Sequence, residues 1–456
     1  MDARDVARGF HFTHALLPQG WATSVRLDVM HGRILSLQVN TVAQPRDIRL
    51  GVVIPGMGNV HSHAFQRGMA GLTEVAGASM DSFWSWREVM YRFLERLCPD
   101  GLEAIAAMAY AEMLEAGFTR VGEFHYLHHA RNGRPYAQVG EMCGRIAAAA
   151  QRTGIGLTLL PVFYAHSDFG GAPPLESQRR LICDMDGFAQ LLDQAAGHVA
   201  ALGDGQLGIA PHSLRATTPT ELSSLITLNE GPIHIHIAEQ TAEVQACLAW
   251  SGQRPVQWLL EHAPVDPRWC LVHATHVSAD EVTDIASRGA VVGLCPITEA
   301  NLGDGLFPAR DFLDAGGRIG IGSDSNVLID LAEELRLLEY GQRLHQRQRN
   351  VLARGSGHTS GRYLFDQTLA GGALALGVEC SITPGASADL VELEISHPAL
   401  LHRQLDHWLD GWLFSARAGA VRTVWRRGEQ VVEGGRHRDR PRIERAYAAA
   451  LHRVLE

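Results

Sequence analysis

Val52-Val53-Ile54-Pro55-Gly56-Met57-Gly58-Asn59-Val60-His61-Ser62-His63 is the stretch that decides how this chain is read. An apolar, strand-like run ends on two histidines spaced i, i+2, and alternation along a strand turns both imidazoles to one side. Two imidazoles converging where such a strand meets its loop can grip a metal ion. The same grammar returns in Ile233-His234-Ile235-His236-Ile237-Ala238-Glu239, in Cys270-Leu271-Val272-His273-Ala274-Thr275-His276, and in Arg318-Ile319-Gly320-Ile321-Gly322-Ser323-Asp324-Ser325-Asn326. Each is a short β-prone stretch finishing on a residue that ligates metals or carries protons. A chain with 23 histidines produces stray pairs, but four strand ends in agreement are a pattern.

Working outward, strand-like runs at 52–60, 119–125, 155–164, 206–211, 233–238, 269–274, 289–295 and 318–323 alternate with helical stretches. Among the latter are Gly101 to Ala116, Gln178 to Ala196 and Ala279 to Ser287, alanine-rich or amphipathic. About eight βα units with buried strands predict an α/β fold of the (β/α)8, TIM-like barrel class. Such barrels carry their active sites at the C-terminal strand ends, where the polar residues fall. The flanks alternate with a two-residue period, as in Val25-Arg26-Leu27-Asp28-Val29 and Val421-Arg422-Thr423-Val424-Trp425. Both chain ends are therefore expected to meet as antiparallel strands in a small β-sandwich domain. The expected division is 1–54 and 379–456 for that domain, with 55–378 for the barrel. Pro441 to Glu456 reads as a closing helix.

Length and composition exclude several classes. The 456 residues suffice for one large domain with an appendage, and 46% of them are hydrophobic. A net charge of −10 disfavours nucleic-acid binding. No apolar run approaches membrane-spanning length, and the N-terminus lacks a secretory layout, so no membrane partner and a cytoplasmic location are expected. Seven scattered cysteines without a C-x-x-C pair suggest reduced thiols. The chain contains no lysine. Schiff-base catalysis, a Walker-type phosphate loop and a metal pair bridged by a carboxylated lysine are all excluded.

The constellation at the strand ends supplies three imidazoles, His61, His63 and His236, and one carboxylate, Asp324. That set suits zinc, with Zn–N bonds of ~2.0–2.1 Å, and leaves room for a water; divalent iron or manganese would also fit. One such ion per subunit would lower the pKa of water from ~16 to about 7. Glu239, three residues beyond His236, is placed to carry a proton to a departing nitrogen. His273 can hold the hydroxide or act as base beside Asp324. His234 lies a pleat deeper and reads as a core histidine. His276, Glu123 and His125 read as structural residues or as supports behind the ligands.

These residues resemble the mononuclear deaminase branch of the amidohydrolase superfamily, which uses no carboxylated lysine. Thr383-Pro384-Gly385-Ala386-Ser387-Ala388-Asp389-Leu390 is similar to that superfamily's return into its β-domain. A narrower resemblance is to formimidoylglutamate deiminases. It rests on Asn59-Val60-His61-Ser62-His63-Ala64-Phe65-Gln66-Arg67, Asp81-Ser82-Phe83-Trp84-Ser85-Trp86-Arg87 and Glu123-Phe124-His125-Tyr126-Leu127-His128-His129. Pro211-His212-Ser213-Leu214-Arg215 and Cys295-Pro296-Ile297-Thr298-Glu299-Ala300-Asn301-Leu302-Gly303-Asp304-Gly305 complete it.

The resemblance implies hydrolysis of N-formimino-L-glutamate to N-formyl-L-glutamate and ammonia, a step of histidine degradation. Metal-bound hydroxide would attack the formimino carbon, with Glu239, His273 and Asp324 handling protons. A small-molecule substrate with two carboxylates calls for fixed donors, and the resemblance implies Gln66, Tyr126, His212 and Arg215. Arg87 joins them, on its own chain or across the interface of a homodimer. The rival substrates are guanine, cytosine, an adenosine-like base or a guanidino compound. The rival class is a catalytically dead barrel acting in assembly, which expects broken metal ligands.

Overall fold

The computed structural model describes residues 7–76, 83–355 and 357–456. Asp81 and Ser82 of the quoted motif lie outside them. Strands β1 (Arg8–Leu17), β2 (Gly20–Met30), β3 (Arg33–Gln38) and β4 (Ile48–Pro55) come from the N-terminal end. The barrel strands are β5 (Met57–Ser62), β6 (Phe118–His125), β7 (Gly156–Phe163), β8 (Gln206–Leu207) and β9 (Ala210–Pro211). They continue with β10 (Ile233–Ile237), β11 (Trp269–His273), β12 (Val291–Leu294) and β13 (Arg318–Ile321). β14 (Leu390–Leu393), β15 (Val421–Arg426), β16 (Glu429–Glu433) and β17 (Arg436–His437) return to the first sheet.

The two chain ends are joined in one sheet of order β17-β16-β15-β14-β4-β1-β2-β3. Inward-facing Phe10, Phe12, Leu27, Val53 and Leu390 close with Trp425 over a small core of their own. Phe10 and Trp425 meet edge to face, ring centroids 5.1 Å apart, although two strands separate theirs in the sheet order, so the sheet curls strongly. The expectation of purely antiparallel pairing is corrected at one place: β1 and β4 run parallel.

A second correction concerns the opening stretch. The run 52–60 is two strands, not one, because the chain passes from the small sheet to the barrel at Gly56. A Cβ there would lie 2.3 Å from the Thr119 side chain, so only glycine lets β4 and β5 succeed each other. The barrel strands are parallel in the order β10-β11-β12-β13-β5-β6-β7-β8, with β9 paired to β7. Closure comes through the Ile209–Ile233 bridge, where the His234 N–H donates to the Ile209 carbonyl at 3.1 Å. The fourth position, expected as one strand over 206–211, is broken into β8 and β9. The Gly208 N–H still pairs with the Leu159 carbonyl at 2.9 Å.

Helices fill the layer outside the strands. Pro99–Glu115 is the most deeply packed, its alanines letting it lie close against β6. The helix expected from Gln178 begins later, at Met185, where Asp184 caps it by accepting from the Gly187 N–H at 2.7 Å. The closing helix Arg440–Leu455 packs on the barrel, with Arg440 paired to Glu115 at 2.6 Å and Glu112 at 3.4 Å. Among the described residues no helix is long and apolar enough to cross a membrane.

At the C-terminal strand ends the backbone bends sharply. Ala238, His273, Ala274, Asp324 and Asn326 all have positive φ, between 41° and 68°. Non-glycine residues avoid this region, at roughly 1–3 kcal/mol each. Its concentration here shows that the surrounding structure dictates these turns.

Candidate active site

Two sequence segments 264 residues apart are knitted together at the β5–β13 seam. The His61 carbonyl accepts from the Ser323 and Asp324 N–H groups at 3.0 and 2.9 Å, and His63 N–H returns to the Asp324 carbonyl at 2.9 Å. Asn59 donates to Ser323 Oγ at 2.7 Å, Ser323 Oγ donates to Asn326 at 2.6 Å, and Asn326 donates to Ser62 Oγ at 3.1 Å. This buried network fixes where His61, His63 and Asp324 point. None of its outer members was singled out from the sequence, because asparagine and serine carry no spacing signal of their own.

His236 completes the group from β10. His61 Nε2 lies 3.2 Å from His63 Nε2 and 3.0 Å from His236 Nε2, and Asp324 Oδ1 stands 3.5 and 3.3 Å from the Nε2 atoms of His61 and His63. Ligand atoms on one tetrahedral ion with ~2.1 Å bonds are themselves ~3.4 Å apart. The tautomers agree. His63 Nδ1 donates to the Phe124 carbonyl at 2.9 Å and His236 Nδ1 to the His212 carbonyl at 3.1 Å, which leaves both Nε2 atoms as lone pairs. One imidazole cannot satisfy two lone pairs and a carboxylate, so the arrangement is electron-rich around a point. The residues fit a divalent cation.

Electrostatics favour the ligating forms. Burial pushes His61 down to about 3 and lowers His63 and His236 as well, keeping the imidazoles neutral. Burial would raise Asp324, but His61, His63 and His273 outweigh it and hold its carboxyl well below the usual range. Phe124 closes the apolar side, its ring centroid 4.9 Å from His61 and 4.4 Å from His236.

Two titratable groups face the ligands. Burial raises Glu239 to about 7, with Asp324 and Glu243 adding to it, while His273 and Arg215 pull the other way. Burial disfavours charge on His273, yet Glu239, Glu299 and Asp324 together raise it to about 10. His273 Nε2 is 3.9 Å from Glu239 and 3.8 Å from Asp324, and its Nδ1 donates to Glu299 at 3.2 Å. Glu299, held by the Cys295 N–H at 2.9 Å, orients this ring. The sequence motif contained Glu299, but its tie to His273 depends on the turn after β12.

One pocket opens above these atoms. It is lined by His63, His236, Glu239, His273 and Asp324 at its floor and by Gln66, Arg87, Tyr126, His212 and Arg215 on its walls. All five sequence-nominated substrate contacts therefore meet there. Gln66 donates to Tyr126 Oη at 2.7 Å, and Tyr164 stands 4.5 Å, ring to ring, from His212. Arg87 lies in its own chain's pocket, its guanidinium carbon 5.8 Å from the Tyr91 ring centre. Trp86, Met90, Tyr91, Tyr164, Leu181 and Thr298 also line it. The sequence reading gave Tyr164 no role, although it is the last residue of the strand-like run 155–164.

The residues judged structural fall elsewhere. His234 donates into the core at the Ala375 carbonyl, 2.7 Å away. Glu123 accepts from the Ala64 N–H at 2.7 Å, supporting the turn after His63. His276 and His125 are not among the pocket-lining residues.

The Amidohydrolase family model matches residues 52–431, and the model of the Formimidoylglutamate deiminase HutF N-terminal domain matches residues 8–51. The formimidoylglutamate deiminase of Pseudomonas aeruginosa is 50% identical over 446 residues, covering 97% of this chain and 98% of the relative. The chain belongs to the amidohydrolase family, among the formimidoylglutamate deiminases. The crystal structure of an amidohydrolase from Brucella melitensis agrees at a TM-score of 0.96 and 55% identity, over 98% of this chain and 100% of that one. An adenosine deaminase from Xanthomonas campestris, solved with bound zinc, shares the fold at a TM-score of 0.80, 21% identity and 98% coverage of both chains. Membership makes the chain a hydrolase that deiminates formimidoylglutamate in histidine degradation.

Proposed function

We propose that this chain hydrolyses N-formimino-L-glutamate to N-formyl-L-glutamate and ammonia in cytoplasmic histidine degradation, as a zinc-dependent homodimer. The observation that carries the reading is the single pocket in which an electron-rich His3Asp group and a buried Glu239 face a buried guanidinium, Arg215. Three neutral imidazoles and a carboxylate favour zinc, with iron or manganese as substitutes. All seven cysteines are unpaired, in keeping with a reducing compartment.

A divalent ion held by His61, His63, His236 and Asp324 would supply Lewis acidity and a water acidified to a pKa of about 7. Arg215 offers a planar fork to one substrate carboxylate, and Gln66, Tyr126 and His212 offer neutral donors beside it. Arg87, at the pocket wall, is placed for the second carboxylate. Anchoring both ends brings the formimino carbon to the floor. Glu239, poised near neutrality, takes the proton lost by the attacking water and returns it to the terminal nitrogen. His273, its ring locked by Glu299, holds the attacking oxygen in line with Asp324. The remaining proton of the attacking oxygen passes by way of Glu239 to the same nitrogen as the C–N bond breaks, so that ammonia leaves and the carbonyl of the formyl group forms.

Ammonia release from N-formimino-L-glutamate, compared with guanine, cytosine and adenosine, tests the assignment. Turnover confined to the formimino acid is expected; preference for a base would overturn it. Sedimentation of the purified chain tests the homodimer.

A further inference from the structure

Strand alternation separates two buried histidine clusters along β6. Phe124 faces the barrel interior against His61 and His236, whereas Glu123 and His125 face the helix layer, where Glu123 lies near Tyr110. Behind the strand, His125, His128 and Cys143 each present a ligand atom, and these atoms all lie within 4.8 Å of one another. Cys143 comes from the helix Glu141–Thr153. All three side chains are buried, at 1%, 0% and 0% exposure.

The hydrogen bonding of this cluster is incomplete in a particular way. His128 Nε2 donates to the Val162 carbonyl at 2.8 Å, which fixes its proton there and leaves Nδ1 as a lone pair without a partner among the described residues. This is the device that prepares His63 and His236 for metal, with the two ring nitrogens exchanged. Neither ring nitrogen of His125 has a hydrogen-bond partner among the described residues; the Leu127 backbone lies close but outside hydrogen-bond geometry. Buried imidazole nitrogens are ordinarily paired. The His125 and His128 rings stand 5.7 Å apart at 80°.

We propose that His125, His128 and Cys143 form a second, buried metal site, which holds one thiophilic ion, zinc or copper(I), apart from the active-site centre. Two imidazole nitrogens and a thiolate are the donor set such ions prefer. Three atoms sharing one ion with bonds of ~2.0–2.3 Å lie ~3.3–3.7 Å apart, so a pair as wide as 4.8 Å must close by up to ~1.5 Å when the ion binds. Binding replaces the Cys143 thiol proton, which is released to solvent. The ion ties the segment after β6, which carries the pocket residue Tyr126, to the neighbouring helix. Its role is therefore structural.

The full-length chain, purified from zinc- or copper-supplemented cultures, should carry two ions per chain by elemental mass spectrometry. An Asp324→Asn/His236→Ala variant should retain one, and Cys143→Ser or His128→Asn should lose one while keeping the active-site ion. Which element rises above one per chain separates zinc from copper. Cobalt substitution guards against a variant that fails to fold: the wild-type chain should show a thiolate-to-cobalt charge-transfer band. That band should survive Cys295→Ser, whose thiol lies beside His273 and Asp324, and vanish in Cys143→Ser. A wild-type chain with one ion, all of it lost on dismantling the active site, would overturn the proposal. So would a charge-transfer band that is absent or that follows Cys295.

Discussion

Replacing Arg215 by alanine separates recognition from chemistry. The side chain is 6% exposed and its charge is felt by Glu243 and Glu239. A buried, hydrogen-bonded charge pair that loses one partner costs roughly 2–5 kcal/mol. Spent wholly on substrate binding, this corresponds to a ~30- to ~5,000-fold fall in kcat/KM for the formimino acid. Formamidine has the reacting group and no carboxylate, so its turnover should be unchanged within a few-fold at a pH above the acid limb of both proteins. A second effect has a fixed sign. Arg215 pulls the Glu239 carboxyl down, so its removal lets Glu239 rise above about 7, and the acid limb of the kcat/KM profile moves to higher pH. The assay is ammonia release across pH, with metal content and thermal melting measured in parallel. Arg215→Lys keeps a charge beside Glu243 but not the planar fork, so it should restore stability more than specificity. If kcat/KM for the formimino acid stays within threefold of wild type while metal content is intact, the assigned carboxylate contact is wrong.

Glu239→Gln should lower kcat by ~10²–10⁴ with the metal retained, as expected for loss of a proton carrier; elemental analysis beside single-turnover kinetics checks it. Asp324→Asn should empty the active-site centre, because it removes the sole anionic ligand, and the readout is metal content after dialysis. In the metal-stripped protein His273 is raised to about 10 from its ordinary 6.5, so its contribution to folding is complete below pH 6.5 and fades as pH rises toward about 10. Glu299→Gln lowers that folded value. The gap between the wild-type and variant melting temperatures should therefore close as the solution is made alkaline, and a gap that widens instead would contradict the His273–Glu299 pairing.

Periodicity was enough for the barrel because buried parallel strands must be apolar along their length, and because ligands at their ends interrupt that pattern visibly. His61, His63, His236 and Asp324 were legible for that reason, and so was the small sheet, whose half-exposed strands alternate. Glu299 was not, because its partner lies on another strand and nothing in Pro296–Leu302 marks a direction. The division of the opening run at Gly56 also escaped, since glycine spacing does not say which neighbour crowds it.

The sequence by itself determined the donor types, their order along the chain, and the absence of lysine that removes a bridged metal pair. Only the tertiary structure decided their convergence. Ala238, His273 and Asp324 adopt a left-handed backbone that their own side chains disfavour. Such turns arise from what the closed barrel and the Asn59–Ser323–Asn326–Ser62 network require, which is a sum over distant contacts and not a property of any local segment.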